Sequence, residues 1–131
     1  MSDTSASRLR VLVVDDDQSI TKMFGWMVEM LGHDGKVAND SVEALALARS
    51  FRPDVVLMDL NLAGTNGHEA CRQMRQMPGL EHCIFIAQTG WDHPAQIERS
   101  REAGFHDHWV KPISIERLEK LFNTLSGKKA A

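Results

Sequence analysis

Polar side chains that could do chemistry stand where short apolar runs of the sequence end. They are Asp15, Asp16, Asp59, Thr89 and Lys111. Short apolar runs that are rich in β-branched residues and bounded by turn residues are typical of strands buried on both faces. The carboxyl ends of parallel strands meet at one edge of a sheet, and ligands of open α/β sheets bind there. We therefore expect these five side chains to gather in one place.

Three of these side chains are carboxylates, and their charges repel one another. Two like charges about 4 Å apart cost about 4 kcal/mol at an effective dielectric of about 20, so the cluster must take up a proton or hold a cation. Oxygen ligands of this kind suit Mg²⁺, with Mn²⁺ as an alternative. Lys111 can pair with a phosphoryl oxygen, and the Thr89 hydroxyl can donate a hydrogen bond. Because a carboxylate can attack phosphorus, the set predicts that Asp59 accepts a phosphoryl group.

The elements that must position these residues alternate between strands and helices. The pattern predicts five strands, at residues 9–14, 36–38, 54–59, 83–87 and 106–110. It predicts five helices, at residues 18–31, 40–50, 67–77, 94–103 and 114–126. Asp34-Gly35 is expected to form a turn, and Asp40 with Glu43 is expected to form a capping box. Strands and helices that alternate with short connections indicate an α/β protein, with a parallel sheet covered by helices on both faces.

Length and composition fit one globular domain. The chain has 131 residues, of which 43% are hydrophobic and 25% charged, as is ordinary for a soluble protein. Its net charge of -3 offers no basic surface for nucleic acid. Because no apolar run could cross a membrane or serve as a signal peptide, we expect a cytoplasmic protein without a membrane partner. The expected boundaries are a disordered N-terminus at 1–7, a domain at 8–126 and a flexible tail at 127–131.

With these motifs in this order, the sequence resembles a response-regulator receiver domain (CheY-like) of bacterial two-component signalling. The matching motifs, within residues 8 to 126, are Val-Leu-Val-Val-Asp15-Asp16-Asp17, Val-Val-Leu-Met-Asp59, Gln-Thr89-Gly90 and Val110-Lys111-Pro112. Each motif alone is weakly specific, but their order and spacing together are highly specific. The resemblance implies the flavodoxin-like α/β/α fold of three layers, with five parallel strands in the order 2-1-3-4-5 and five helices.

The resemblance also implies roles at the site. Asp59 corresponds to the phosphoacceptor, and Thr89 and Lys111 to the residues that bind the phosphoryl oxygens. The Lys111–Pro112 bond corresponds to the family's cis peptide, and Gly67 to the glycine that opens the third helix. 

A metal ligand set is implied in the same way. Asp16 corresponds to a direct ligand of Mg²⁺ or Mn²⁺, and Asp15 to one that acts largely through water. Asp59 corresponds to the third carboxylate of the set, and Asn61 would bind the ion through its backbone carbonyl.

Further positions are implied to control switching and phosphoryl lifetime. Thr89 and His108 stand at the switch positions, although the family often has Tyr or Phe where His108 stands. Trp91 and Asn61 stand at positions that modulate the access of water, so a large ring at Trp91 predicts slow self-dephosphorylation. The alternative is a loop tryptophan packed on a helix. Ala63 replaces a common proline, and Trp109 is expected on the face opposite His108.

The resemblance implies a signalling function. The chain would take a phosphoryl group from a sensor histidine kinase or a histidine phosphotransfer protein, onto Asp59. It would then change the surface of its fourth helix, fifth strand and fifth helix, and act on an unknown downstream protein by contact or by phosphate shuttling. It would catalyse only its own phosphorylation and slow dephosphorylation, so it is not a conventional enzyme. Receivers of hybrid histidine kinases look similar around Thr89 and His108.

Other interpretations remain open from the sequence. The chain could be an interaction module that does not use phosphorylation. It could be an aspartyl-phosphate hydrolase, although Asn61 stands where such enzymes have an acid. The acidic first loop disfavours a flavodoxin. His106 and His108 could bind a metal, although a solvated edge is favoured. Trp26 widens the apolar face of the first helix, which indicates either a broad core face or a docking surface.

Overall fold

A computed structural model of the chain describes residues 8–62, 65–90 and 94–130. Strands and helices alternate along the chain, except that two short strands stand between β3 and α3. In order they are β1 Arg10–Val14, α1 Gln18–Met30, β2 Asp34–Ala38, α2 Ser41–Phe51, β3 Val55–Asp59, β4 Asn61–Leu62, β5 Thr65–Asn66, α3 Gly67–Arg75, β6 Ile84–Thr89, α4 Pro94–Ala103, β7 Asp107–Val110 and α5 Ile115–Ala130. No helix in these ranges is long and apolar enough to cross a membrane.

The main sheet has five parallel strands in the order β2-β1-β3-β6-β7. Numbered among themselves, these strands have the order 2-1-3-4-5, so the predicted flavodoxin-like fold is confirmed. The chain reverses its direction of winding between β1 and β3, and their carboxyl ends flank a crevice of the kind that binds ligands in such sheets. β4 and β5 form a separate antiparallel hairpin immediately after β3.

The two faces of the sheet bury separate cores. Leu12 and Val14 of β1 belong to the core that contains residues of α2 and α3, whereas Val11 and Val13 belong to the core that contains Phe24 of α1 and residues of α5. This alternation follows from the two-residue period of a strand. Because both faces are covered, the central strands are mainly apolar, and every residue of β3 is buried, including Asp59 at its end.

Several predicted bounds need correction. β2 begins at Asp34, so the predicted turn at Asp34-Gly35 is wrong. Asp34 lies opposite Arg10 and its N–H donates to the carbonyl of Leu9, so pairing with β1 extends the strand despite the turn residues. β6 continues to Thr89, because its last residues pair with β7. The hairpin of β4 and β5 was not predicted, and α5 continues to Ala130, so the predicted tail begins inside a helix. Its flexibility stays a prediction.

Aspartate side chains cap the N-termini of α1 and α2. The Asp17 carboxylate accepts a hydrogen bond from the N–H of Ser19 at 2.9 Å, at the start of α1. At α2, the Asp40 carboxylate accepts from the N–H of Glu43 at 2.8 Å, and the Glu43 carboxylate accepts from the N–H of Asn39 at 2.8 Å. The bond to Asp40 is one half of the predicted capping box, whereas the Glu43 carboxylate binds the residue before the cap, Asn39, instead of Asp40. Together the two bonds fix the β2–α2 connection.

Candidate functional site

An acidic pocket lies at the carboxyl ends of β1 and β3. Asp15 and Asp16 follow β1, and Asp59 ends the neighbouring strand β3. One carboxylate oxygen from each of the three lies within 4.8 Å of the others. Asp15 and Asp59 are only 2% and 6% exposed, whereas Asp16 faces solvent. The gathering of these three carboxylates is therefore a property of the folded structure.

Lys111 places its ammonium group between two of these carboxylates. It follows β7, on the far side of β6 from β3, and its Nζ lies 2.8 Å from Asp15 Oδ2 and 3.1 Å from Asp59 Oδ2. Burial lowers the pKa of Lys111, but the hydrogen bonds and charges of Asp15 and Asp59 outweigh burial and raise the pKa above its ordinary value. Lys111 is therefore protonated and positively charged at neutral pH.

The pocket as a whole can accept a divalent cation. Three carboxylates and one ammonium leave a formal charge of -2 among these side chains. Opposite ligands of Mg²⁺ stand about 4.2 Å apart, close to the spread of the carboxylate oxygens, and the exposed Asp16 leaves room for the water that this ion retains. The donors are all hard oxygen atoms, which fit Mg²⁺ or Mn²⁺.

Thr89 belongs to the same edge of the sheet. It is the last residue of β6 and is fully buried, and its carbonyl accepts a hydrogen bond from the N–H of Lys111 at 2.7 Å. The neighbouring carbonyl of Gln88 accepts from the N–H of Leu60 at 3.0 Å, so the end of β6 is tied to the connections after both β3 and β7. The peptide bond Lys111–Pro112 is cis.

The three carboxylates of the acidic loop at residues 15–17 have different roles. The Asp15 Oδ1 atom accepts from the N–H of Asp17 at 3.0 Å, while Asp17 itself accepts from the Ser19 side chain at 2.6 Å. These hydrogen bonds from Ser19 lower the pKa of Asp17. Asp17 thus serves as the N-terminal cap of α1, and Asp15 and Asp16 are left for the pocket.

Gly67 lies against the backbone at the end of β3. A Cβ atom at this position would lie 2.8 Å from the Asp59 carbonyl oxygen and 3.2 Å from the Leu60 Cα. Neither atom can move without moving the strand that carries Asp59. The absence of a side chain at Gly67 is therefore what lets α3 begin directly beneath the pocket.

His108 connects β7 with α4. It lies beside Ala87 of β6, and its Nδ1 is 3.2 Å from the Ser100 hydroxyl of α4. Trp109 faces the opposite side of the sheet, as predicted, where it belongs to the core formed with α1 and α5. His106 uses its Nδ1 to accept from the N–H of Phe85. Within the described ranges, the carboxylates form the one cluster of three or more groups suited to a metal, and neither His106 nor His108 joins it.

Three positions that the sequence singles out keep roles that are predictions only. Trp91 and Ala63 fall outside the described residues, so the water-access role of Trp91 stays a prediction. Asn61 is the first residue of β4, two residues after Asp59, and its role as a carbonyl ligand stays a prediction too.

An exposed apolar patch lies on α1. Trp26 and Met30 are 76% and 74% exposed, and Met23 is 48% exposed. We call these three residues the α1 patch. The interpretation of Trp26 as part of a broad core face is therefore wrong, since the core side of α1 is formed by Phe24 and Val28.

Asn39 contacts the acidic loop, although nothing in the sequence predicts this contact. Its side-chain NH₂ donates to the carbonyl of Asp15 at 2.9 Å and to the hydroxyl of Thr21 at 3.1 Å. Asn39 is a single asparagine after a strand, and its local sequence does not indicate this contact because Asp15 is 24 residues away in the chain.

Comparison with known proteins shows the family. The family model described as the response regulator receiver domain matches residues 11–123, so this chain belongs to that family. The polar-differentiation response regulator DivK of Brucella anthropi is 32% identical over 117 residues, which cover 89% of this chain and 95% of DivK. Receiver domains act in phosphorylation-dependent two-component signalling, and this chain is one of them.

Other relatives agree in fold but differ in length. The chemotaxis protein CheY4 of Vibrio cholerae is 28% identical, with a TM-score of 0.84, and the match covers 90% of this chain and 98% of CheY4. The DNA-binding response regulator MtrA of Mycolicibacterium paratuberculosis is 36% identical over 111 residues, which cover 85% of this chain and 48% of MtrA. The chain thus spans about half the length of the MtrA relatives that it matches.

Proposed function

We propose that the chain accepts a phosphoryl group from a phosphohistidine onto Asp59. The observation that carries this proposal is the position of Lys111 Nζ, 3.1 Å from Asp59 Oδ2 in a pocket with two further carboxylates. An Asp59 oxygen would attack phosphorus as the N–P bond of the donor breaks and its electron pair returns to the imidazole.

The residues of this chain would hold the transferring group in place. Lys111 would neutralise charge on one phosphoryl oxygen, and the Thr89 hydroxyl would donate a hydrogen bond to another. Asp15, Asp16 and Asp59, with the carbonyl of Asn61, would hold Mg²⁺ or Mn²⁺. When bound, the ion supplies positive charge to the phosphoryl oxygens. 

Phosphorylation would then be read by α4 and β7. The Thr89 hydroxyl would turn towards the phosphoryl group, and His108 would follow and change its contact with Ser100 of α4. A shift from about 1:99 to about 99:1 requires about 5.5 kcal/mol. Several charge-assisted hydrogen bonds of about 1.5–3 kcal/mol each can supply it. The resulting signal would pass to a cytoplasmic protein by contact or by transfer of the phosphoryl group.

The α1 patch would dock the phosphodonor. Phosphohistidine donors of this class present a helix, and an exposed stripe of Met and Trp side chains suits a helical apolar partner. Trp26 and Met30 stand one helical turn apart, as a pair of anchors on such a surface would. A donor docked there would come from a histidine kinase or from a histidine phosphotransfer protein.

Trp26→Ala tests the function and the docking surface together. With a phosphorylated histidine phosphotransfer protein as donor, the parent chain is expected to take up phosphoryl, and the variant about tenfold more slowly, because tryptophan is a frequent hot spot. With acetyl phosphate, a small donor that needs no docking, both proteins are expected to react at the same rate. Equal rates from the protein donor would contradict the docking role. Absence of uptake by the folded parent chain from either donor would contradict the proposed function.

A further inference from the structure

The acidic loop is held from the outside by Asn39. Its side-chain NH₂ has two hydrogens, and each finds one acceptor: the Asp15 carbonyl at 2.9 Å and the Thr21 hydroxyl at 3.1 Å. Thr21 is 1% exposed and donates its own hydrogen to the carbonyl of Gln18 at 3.1 Å. One chain of hydrogen bonds therefore fixes the carbonyls at both ends of the loop, those of Asp15 and Gln18.

Asn39 is itself held in place. Its backbone N–H donates to the Glu43 carboxylate in the first turn of α2 at 2.8 Å. The residue before it, Ala38, accepts from the N–H of Asp15 at 3.1 Å at the end of the β1–β2 ladder. Since both the backbone and the neighbouring strand are fixed, the Asn39 amide is a rigid support for the loop.

The carboxylate that most needs such support is Asp16. Asp15 is held by hydrogen bonds from Asp17 and Lys111, and Asp59 is fixed at the end of a buried strand. By contrast, the exposed Asp16 side chain has no hydrogen bond or ion pair with any residue in the described ranges. Its position therefore depends on its backbone. The carbonyl that Asn39 binds belongs to the peptide unit that joins Asp15 to Asp16.

We infer that Asn39 is a positioning residue for the divalent cation of the acidic pocket. It orients the Asp15–Asp16 peptide, so that Asp16 meets Asp15 and Asp59 around one ion, without contacting the ion itself. This inference rests on the proposed function of the pocket. It explains why an amide donor stands on the β2–α2 connection, a segment with no other part in the site.

The test is the affinity for Mn²⁺, measured by electron paramagnetic resonance on the unphosphorylated chain. Asn39→Ala is expected to raise the Kd about tenfold, the usual effect of losing a residue that orients a metal ligand. Glu43→Ala is the matched control, because it removes the bond to the Asn39 backbone and leaves the side-chain amide. It is expected to lower the melting temperature but to raise the Kd far less than Asn39→Ala does, because the bond between Ala38 and Asp15 still holds the neighbouring strand.

The outcomes separate the inference from the function on which it rests. If the parent chain binds Mn²⁺ and folded Asn39→Ala binds it equally well, Asn39 has no positioning role. If Glu43→Ala weakens binding as much as Asn39→Ala, the effect is general loosening of the connection and the inference fails. Asn39→Ser, whose shorter side chain cannot span to the Asp15 carbonyl, replaces the alanine variant if that variant does not fold, with the same expected loss. A parent chain that does not bind Mn²⁺ would overturn the metal site itself.

Discussion

Replacing Lys111 with methionine is expected to slow phosphoryl uptake from acetyl phosphate by about 100-fold or more, the usual effect of losing one group that stabilises developing charge. Methionine keeps most of the side-chain length but removes the ammonium that lies 2.8 Å from Asp15 and 3.1 Å from Asp59. The same change is expected to strengthen binding of Mg²⁺, because the cation no longer competes with the ammonium for these carboxylates. Opposite changes in the two properties distinguish a direct role of Lys111 from general damage to the fold.

Lys111→Met is also expected to make stability depend on the cation. Without metal, two buried carboxylates then face each other without the ammonium that lies between them, and the protein should lose stability. The loss should be smaller than the about 3–5 kcal/mol that follows when a fully buried pair is broken, because the Lys111 side chain is 24% exposed. Thermal unfolding with EDTA and with Mg²⁺ measures both effects. Lys120→Met, an exposed lysine on α5, is the control for loss of one positive charge. Uptake by Lys111→Met at the rate of this control would contradict the role of Lys111.

Replacing Gly67 with alanine is expected to lower the free energy of unfolding by about 1–3 kcal/mol, the usual cost of overpacking. The new Cβ would lie 2.8 Å from the carbonyl oxygen of Asp59, which is backbone and cannot rotate away. Relief of the contact must move β3 or the start of α3. We therefore expect slower phosphoryl uptake as well as lower stability, although residue 67 donates nothing to the site.

Gly25→Ala provides the matched control for this prediction. Gly25 lies inside α1, and a Cβ there would meet only Val37 Cγ1 at an ordinary 3.6 Å. Alanine should raise stability at this position by up to about 1 kcal/mol, because it is a better helix former than glycine. Urea unfolding of both variants tests the pair. A Gly67→Ala protein as stable as its parent would show that the close approach to Asp59 is not a constraint.

The gathering of Asp15, Asp59 and Lys111 was predictable because each stands where a strand ends. An apolar run that ends on a carboxylate marks both the strand and the position of the carboxylate, as at Asp59. The carboxyl ends of parallel strands share one edge, so the approach of Asp15 and Lys111 to that residue follows from the fold class. The ends of α4 were also predictable from local residues. The range of α4, Pro94–Ala103, agrees with the prediction because proline starts it and Gly104 follows it.

Features that depend on the partner strand or helix were not predictable from local pattern. Asp34 and Gly35 have turn chemistry, but pairing with β1 makes them part of a strand. The contact between Asn39 and Asp15 joins residues distant in sequence, and either would suit a solvated loop. The exposure of Trp26 depends on how wide the core side of α1 is. A helical wheel places Trp26 beside Met23 and Met30, but it does not show whether these three residues face the core or the solvent.

The most direct measurement maps the phosphoryl group to its residue. The chain is treated with acetyl phosphate and Mg²⁺, and borohydride then reduces any acyl phosphate to an alcohol, which turns the modified aspartate into homoserine for identification by mass spectrometry. Homoserine is expected at Asp59 alone and only when a divalent cation is present, since Asp15 and Asp16 are assigned to the ion. Homoserine at Asp15, Asp16 or Asp54, or labelling of Asp59 that is unchanged in EDTA, would contradict this account of the site.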